Sequence, residues 1–218
     1  RKAVGILQIG IPSAFQYSLF AFANLFVQSS VNSFDHVLVE GNSAAANADP
    51  LVYDMMAAFY TACSSFIAQN FGARKKKRIL QTYLICLFYS FITSLVLGVG
   101  IYLARYPFLY LFTSDKAVVE AGITRLSIMA LSYSASAFMD ASIAASRGLG
   151  KTAVPTFVVV MGSCVFRIIW IYTIFAYFHT IQSLYILYVF SWGITAIAEN
   201  IYFFHVYRHT LTEKKELC

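Results

Sequence analysis

Phe66-Ile67-Ala68-Gln69-Asn70-Phe71-Gly72-Ala73-Arg74-Lys75-Lys76-Lys77-Arg78 decides how this chain is laid out. An apolar run ends, Gly72 interrupts it, five consecutive positive charges follow, and a second apolar run begins at Ile79. Lys and Arg lying between two membrane-length apolar segments are held on the cytoplasmic side during insertion. With this turn placed inside, alternation predicts the side of every other loop.

Composition agrees with such a layout. The chain has 218 residues, of which 59% are hydrophobic and 12% charged, against a charged fraction of about 25% in soluble domains. Mean hydropathy is +0.67, and several apolar runs approach the roughly 20 residues that span a bilayer. Six helices of about that length with short loops use up the chain, which predicts an all-α membrane protein, a single six-helix unit over residues 1–218 with no soluble domain. The net charge of +6 lies in loops between apolar spans, a pattern that predicts lipid rather than nucleic acid as the surrounding partner. Cys63, Cys86 and Cys164 fall inside predicted spans and Cys218 ends the chain. Their spacing fits no metal site, so they read as small packed side chains, with no metal and no cofactor expected. The first residue is not Met and no cleavable signal is read, so a fragment and a half-size protein both stay open.

The predicted spans are about 6–27, 51–70, 79–103, 118–146, 153–178 and 184–207. Pro12 lies in the first two turns of the first span, where helices tolerate it. Residues 29–50 carry Asp35, Glu40 and Asp49 without Lys or Arg and read as an outer loop. The third span ends in a belt of Tyr102, Tyr106, Phe108, Tyr110 and Phe112, as expected where a helix meets the interface. The fourth is longer than a bilayer requires. Assigned inside are Arg1, Lys2, Arg74, Lys75, Lys76, Lys77, Arg78, Arg147, Lys151, Arg208, Lys214 and Lys215; assigned outside are Arg105 and Lys116. Twelve against two predicts a multi-pass protein of the cell membrane with both termini cytoplasmic.

Charges within spans are costly, about 2.5–3.5 kcal/mol each at the bilayer centre, and should face protein or a water-filled cavity. Asp54 and Arg125 fall near outer ends, Asp140 in the fourth span, Arg167 in the fifth and Glu199 in the sixth. Asp140 stands about two turns before Arg147, roughly 10 Å along a helix. A carboxylate there is partly desolvated, and either exchanges a proton or a monovalent cation or serves as a fixed hydrogen-bonding group. Glu199 has the same two readings. Arg167 does not titrate in this range and reads as a structural counter-charge for a carboxylate or for backbone carbonyls. In the first span Asn24, Gln28 and Asn32 repeat every four residues, within roughly 80° of one another, with Gln16 about 80° further round. Lipid disfavours such a stripe, so it should face other helices or a substrate cleft.

Two loose matches fail on context. Gly150-Lys151-Thr152 resembles the end of a phosphate-binding loop, but its leading glycine position is Ala145. The Gly148–Ala153 stretch follows a helix rather than a strand, so its glycines serve a tight turn. No HExxH, GxSxG or paired-Cys motif and no catalytic constellation is present, which argues against an enzyme.

Three segments together resemble the multidrug and toxic compound extrusion (MATE) transporters. Phe66–Arg78 is similar to their "QNxGA" turn with basic residues. Ser146-Arg147-Gly148-Leu149-Gly150-Lys151-Thr152, followed by Pro155, Arg167 and Trp170, resembles their "RGxGK…P…R" stretch. Gly10-Ile11-Pro12-Ser13 with Gln28 and Asn32 resembles the opening of their seventh helix. The resemblance implies one six-helix lobe, the C-terminal half of a twelve-helix protein. Its partner would be an N-terminal lobe or a second copy. It also implies antiport of drugs or other cationic or amphipathic small molecules out of the cell, driven by H⁺ or Na⁺. Some branches carry a Glu two turns after the Pro, where Phe15 to Ala23 here hold no acid, and an Asp where Ser136 stands. Asp140, seven positions before Arg147, instead resembles branches with an acid there. On this reading Asp140 and then Glu199 are the cation-coupling candidates, and Gln16, Asn24, Gln28 and Asn32 line the cleft. The alternatives are a flippase for lipid-linked oligosaccharides from the same superfamily and a non-transporting half-size membrane partner protein or fragment.

Overall fold

The computed structural model describes the backbone of residues 2–209 and the side chains of residue 7 and residues 10–209. The charges assigned to Arg1, Lys2, Lys214 and Lys215, and Cys218, lie outside the described residues. The described chain forms α1 (Lys2–Val31), α2 (His36–Ala46), α3 (Ala48–Gly72), α4 (Lys76–Leu103), α5 (Arg105–Tyr110) and α6 (Lys116–Gly148). These are followed by α7 (Ala153–Phe178) and α8 (Ile181–His209). Among the described residues five segments are long and apolar enough to cross a membrane: His36–Gly72, α4, α6, α7 and α8. α1, 30 residues long and therefore about 45 Å from end to end, packs beside α7.

α6 is the central rod, in contact with α2, α3, α4 and α8. Small residues let neighbours approach closely where lipid offers no hydrophobic drive. Its buried face accordingly includes Ser132, Ser136, Ala137, Ala141, Ser142, Ala144, Ala145 and Ser146. Large apolar side chains point the other way. Leu84, Ile85, Phe88, Tyr89, Ile92 and Val96 on α4, and Ile186, Phe190, Ile194, Ile197 and Ile201 on α8, form exposed stripes at helical spacing. Arg105 lies over the rings of Tyr102 and Tyr106 at 4.6 and 5.5 Å within the aromatic belt.

The segment read as an outer loop is helical. Asp35 caps α2, its Oδ1 accepting from the Leu38 amide at 2.9 Å. The Ala44–Ala46 run favours helix, and only Asn47 separates α2 from α3. Gly41 seats α2 on α6: a methyl group there would come within 2.7 Å of Ala121 Cβ and of the Val118 carbonyl oxygen. The glycine and asparagine that suggest a loop thus serve close packing.

Both turns at the basic end have one design. After α3, Arg74 adopts φ +57° and the Lys75 amide donates to the Asn70 carbonyl at 2.9 Å. After α6, Gly150 adopts φ +76° and the Lys151 amide donates to the Ser146 carbonyl at 3.0 Å. Each is a left-handed helix stop closed by a bond across five residues, which satisfies carbonyls otherwise left open. Lys76 Nζ donates to the Arg208 carbonyl at 3.3 Å and lies over the Tyr207 ring, tying the start of α4 to the last turn of α8.

Candidate functional site

Two adjoining cavities run along the inner face of α1. The first, about 500 Å³, lies toward the end remote from the basic turns, between α1, α2, α3, α6, α7 and α8. The second, about 410 Å³, lies toward the basic end, between α1, α3, α6 and α8. Phe20, Asn24, Tyr53 and Trp192 line both and so form the partition. Trp192 is braced there by Tyr53 and Tyr188, with ring centroids at 6.1 and 5.4 Å.

Helical periodicity places the polar residues of α1 on this wall. Gln16 lines the second cavity, Gln28 the first and Asn24 both. Asn32 departs from that expectation: it lies just past α1, which ends at Val31, although its amide still donates to the Gln28 carbonyl at 2.9 Å. Asn32 is exposed, outside the lining of both cavities, and accepts from Gln28 Nε2 at 2.9 Å.

A polar network closes the remote end of the first cavity. Arg125 donates from Nη1 to Asn42 Oδ1 at 2.7 Å and from Nη2 to Asp49 Oδ2 at 2.6 Å. Tyr133 donates to the other Asp49 oxygen, and Asn42 Nδ2 donates to Gln28 Oε1 at 3.4 Å. Both Asp49 oxygens are therefore hydrogen-bonded, as a desolvated pair requires, whereas Arg125 is engaged through Nη1 and Nη2 and its Nε has no partner among the described residues.

Arg167, 1% exposed, stands on the opposite wall. Its fixed charge in an apolar span predicts a carboxylate or backbone carbonyls as partners. Instead Nη1 donates to Asn24 Oδ1 at 2.8 Å and Nε to Ser191 Oγ at 3.4 Å. The guanidinium lies 4.9 Å from the Phe20 ring centroid and 4.4 Å from that of Tyr188. No carboxylate among the described residues contacts it. Two wide π-turns in α7, Val160–Val165 and Ile171–Phe175, flank the five-residue α segment that bears it. Such turns insert a residue into the helical repeat and re-aim the side chains beyond.

In the second cavity Asp140 forms part of the wall and has no hydrogen-bond partner among the described residues. Its neighbouring charge, Arg147, donates from Nη2 to Gln16 Oε1 at 2.8 Å. Glu199 is fully buried, and both its oxygens lack hydrogen-bond partners among the described residues. It lies outside the lining of either cavity.

The family model MatE matches residues 12–173. The chain belongs to the MatE family. Its fold is shared with a multidrug resistance MATE family transporter of the MOP superfamily in an outward-facing conformation. That match has TM-score 0.87 and 20% identity, covering 98% of this chain and 48% of that one. It is also shared with the Vibrio cholerae MATE transporter VcmN in the bent form, with TM-score 0.80 and 19% identity over 93% of this chain and 46% of that one. A MOP superfamily transporter from Pyrococcus furiosus, described as having a binding pocket of reverse polarity that suggests a different function, matches with TM-score 0.69 and 19% identity. It is covered over 44% of its length, against 93% of this chain. The MatE chain described here therefore spans about half the length of these structures. No curated protein matches it in sequence. It is a multi-pass helical membrane protein forming one lobe of the MATE fold.

Several residues that build the MatE cavities are not singled out by sequence reasoning. Asn42 and Asp49 fall in a segment read as loop, and Arg147 in a segment read as a turn. Phe20, Tyr53 and Trp192 carry no signal in a chain with 17% aromatics. The one usable clue is Arg125, a guanidinium in an apolar span that requires an acid somewhere on a neighbouring helix.

Proposed function

We propose that this MatE lobe forms one half of a cation-coupled exporter that moves amphipathic or cationic small molecules out of the cell in exchange for H⁺ or Na⁺. The observation that carries the reading is the Asp140 carboxylate, on a cavity wall with no hydrogen-bond partner among the described residues, while Gln16 occupies the nearby Arg147. An acid without a fixed protein partner remains able to take a proton or a monovalent cation, whereas a paired acid is spent on structure. Glu199, enclosed with both oxygens unpartnered among the described residues, stands second as a coupling group. Gln16, Asn24 and Gln28 offer the polar contacts of the passage. The second half of the passage comes from an N-terminal lobe or from a second copy, in the cell membrane with both termini inside.

The test is efflux by the complete transporter in liposomes under imposed H⁺ or Na⁺ gradients. Asp140→Asn abolishes gradient-driven efflux and leaves the melting temperature in place. Unchanged efflux in that variant removes Asp140 from the coupling step.

A further inference from the structure

We infer that the first cavity is a binding site for the anionic head of an amphipathic molecule, a carboxylate, sulfonate or phosphate received by Arg167. The inference goes beyond the coupling role of Asp140 and does not depend on it.

Three charged side chains line this cavity: Arg125, Arg167 and Asp49. Asp49 is taken by Arg125 at 2.6 Å. Arg167 is left as a buried cation with no carboxylate, and the wall carries one net positive charge. Of the five guanidinium N–H donors, those on Nη1 and Nε reach only a neutral amide and a neutral hydroxyl, while Nη2 has no partner among the described residues. The faces of Phe20 and Tyr188 offset part of the desolvation, but a ring face satisfies no N–H. An oxyanion supplies what the site lacks, and the planar fork of arginine suits carboxylate and phosphate geometry.

The rest of the cavity suits an apolar body. Phe20, Tyr53, Tyr185, Tyr188 and Trp192 line it, and its volume of about 500 Å³ falls in the usual range for small-molecule sites. A cation entering here meets two guanidinium groups and one acid that is already paired. The second cavity differs, since Asp140 and Arg147 balance within it.

The experiment measures equilibrium binding of radiolabelled 2-naphthoate and of 2-naphthylmethylammonium to the purified complete transporter in phosphatidylcholine nanodiscs. Saturable 2-naphthoate binding is expected, on the order of tenfold or more tighter than the ammonium probe, as one charge-assisted contact allows. Arg167→Met abolishes it, Arg167→Lys keeps part of it, and Lys77→Gln, exposed at the basic end and outside both cavities, leaves it unchanged. Asn24→Asp guards against a misfolded Arg167 variant: it puts a carboxylate beside Nη1, so it blocks 2-naphthoate while raising the melting temperature. Discs containing phosphatidic acid separate the sources. Displacement of 2-naphthoate identifies a lipid phosphate as the anion, and undiminished binding identifies a soluble one. Equal or tighter binding of the ammonium probe, no saturable 2-naphthoate binding, or full binding by Arg167→Met or Asn24→Asp overturns the inference. Failure here leaves the efflux test of Asp140 standing, and the reverse also holds.

Discussion

Arg125 Nη2 lies 2.6 Å from Asp49 Oδ2 and its Nη1 lies 2.7 Å from Asn42 Oδ1, so one guanidinium on α6 holds both α2 and the first turn of α3. The partners are 76 and 83 residues away in sequence. Asp49 keeps some solvent contact, with its side chain 26% exposed against 8% for Arg125. The desolvation cost therefore falls mainly on the arginine.

Asp49→Ala leaves that arginine enclosed without its counter-charge. Breaking one side of such a pair costs about 3 kcal/mol, whereas replacing both sides with apolar groups of similar volume is far milder. Thermal unfolding in detergent should show a large drop in melting temperature for Asp49→Ala and a smaller one for the Asp49→Leu, Arg125→Met double variant. A double variant less stable than Asp49→Ala would mean that the pair is not the fastening of these helices.

Gly41→Val tests the seat of α2. The Cβ alone would come within 2.7 Å of Ala121 Cβ and 2.8 Å of the Gly122 nitrogen, and two of the three atoms it meets are backbone. Relief requires α2 to lift from α6, which overpacking series place at about 1–3 kcal/mol. Hydrogen exchange should then report lost protection across His36–Ala46 and unchanged protection in α4. Uniform loss across the chain would contradict a local seat.

The two basic-end turns make a paired prediction. Arg74 at φ +57° occupies a conformation that costs an L-residue about 1 kcal/mol, and Gly150 at φ +76° occupies it freely. Arg74→Gly should therefore raise stability by about 1 kcal/mol, and Gly150→Ala should lower it by about the same amount. The check is a shift of opposite sign in chemical denaturation of the two variants. Shifts of the same sign would rule out backbone conformation as the cause.

The long apolar rods and the basic turn are legible in the sequence because hydropathy and charge are local properties. The polar stripe of α1 is legible for the same reason, through its four-residue repeat, up to the point where the helix stops at Val31. What escapes is set by tertiary contact. Gly41, Asn42 and Asn47 carry loop chemistry in isolation, yet Gly41 fits a neighbouring backbone and Asn42 a guanidinium 83 residues away. The wide turns around Arg167 have no sequence mark. They help explain why that arginine meets Asn24 and Ser191 rather than the carboxylate its charge suggests.

The orientation proposed for the lobe rests on Arg74–Arg78 staying inside the cell, and two exposed lysines allow it to be tested. Lys77 lies in the basic cluster at the start of α4, and Lys116 begins α6 at the other end of the bundle. With the native cysteines replaced by serine, Lys116→Cys in intact cells should react with a membrane-impermeant maleimide, and Lys77→Cys should react only after the membrane is opened. Retained Lys and Arg set orientation through short loops, so reversing the cluster to acidic residues should reduce this contrast. Labelling of Lys77→Cys from outside would invert the whole arrangement. The Asp140 cavity would then lie toward the cell exterior, and an inward source of substrate could not reach it first.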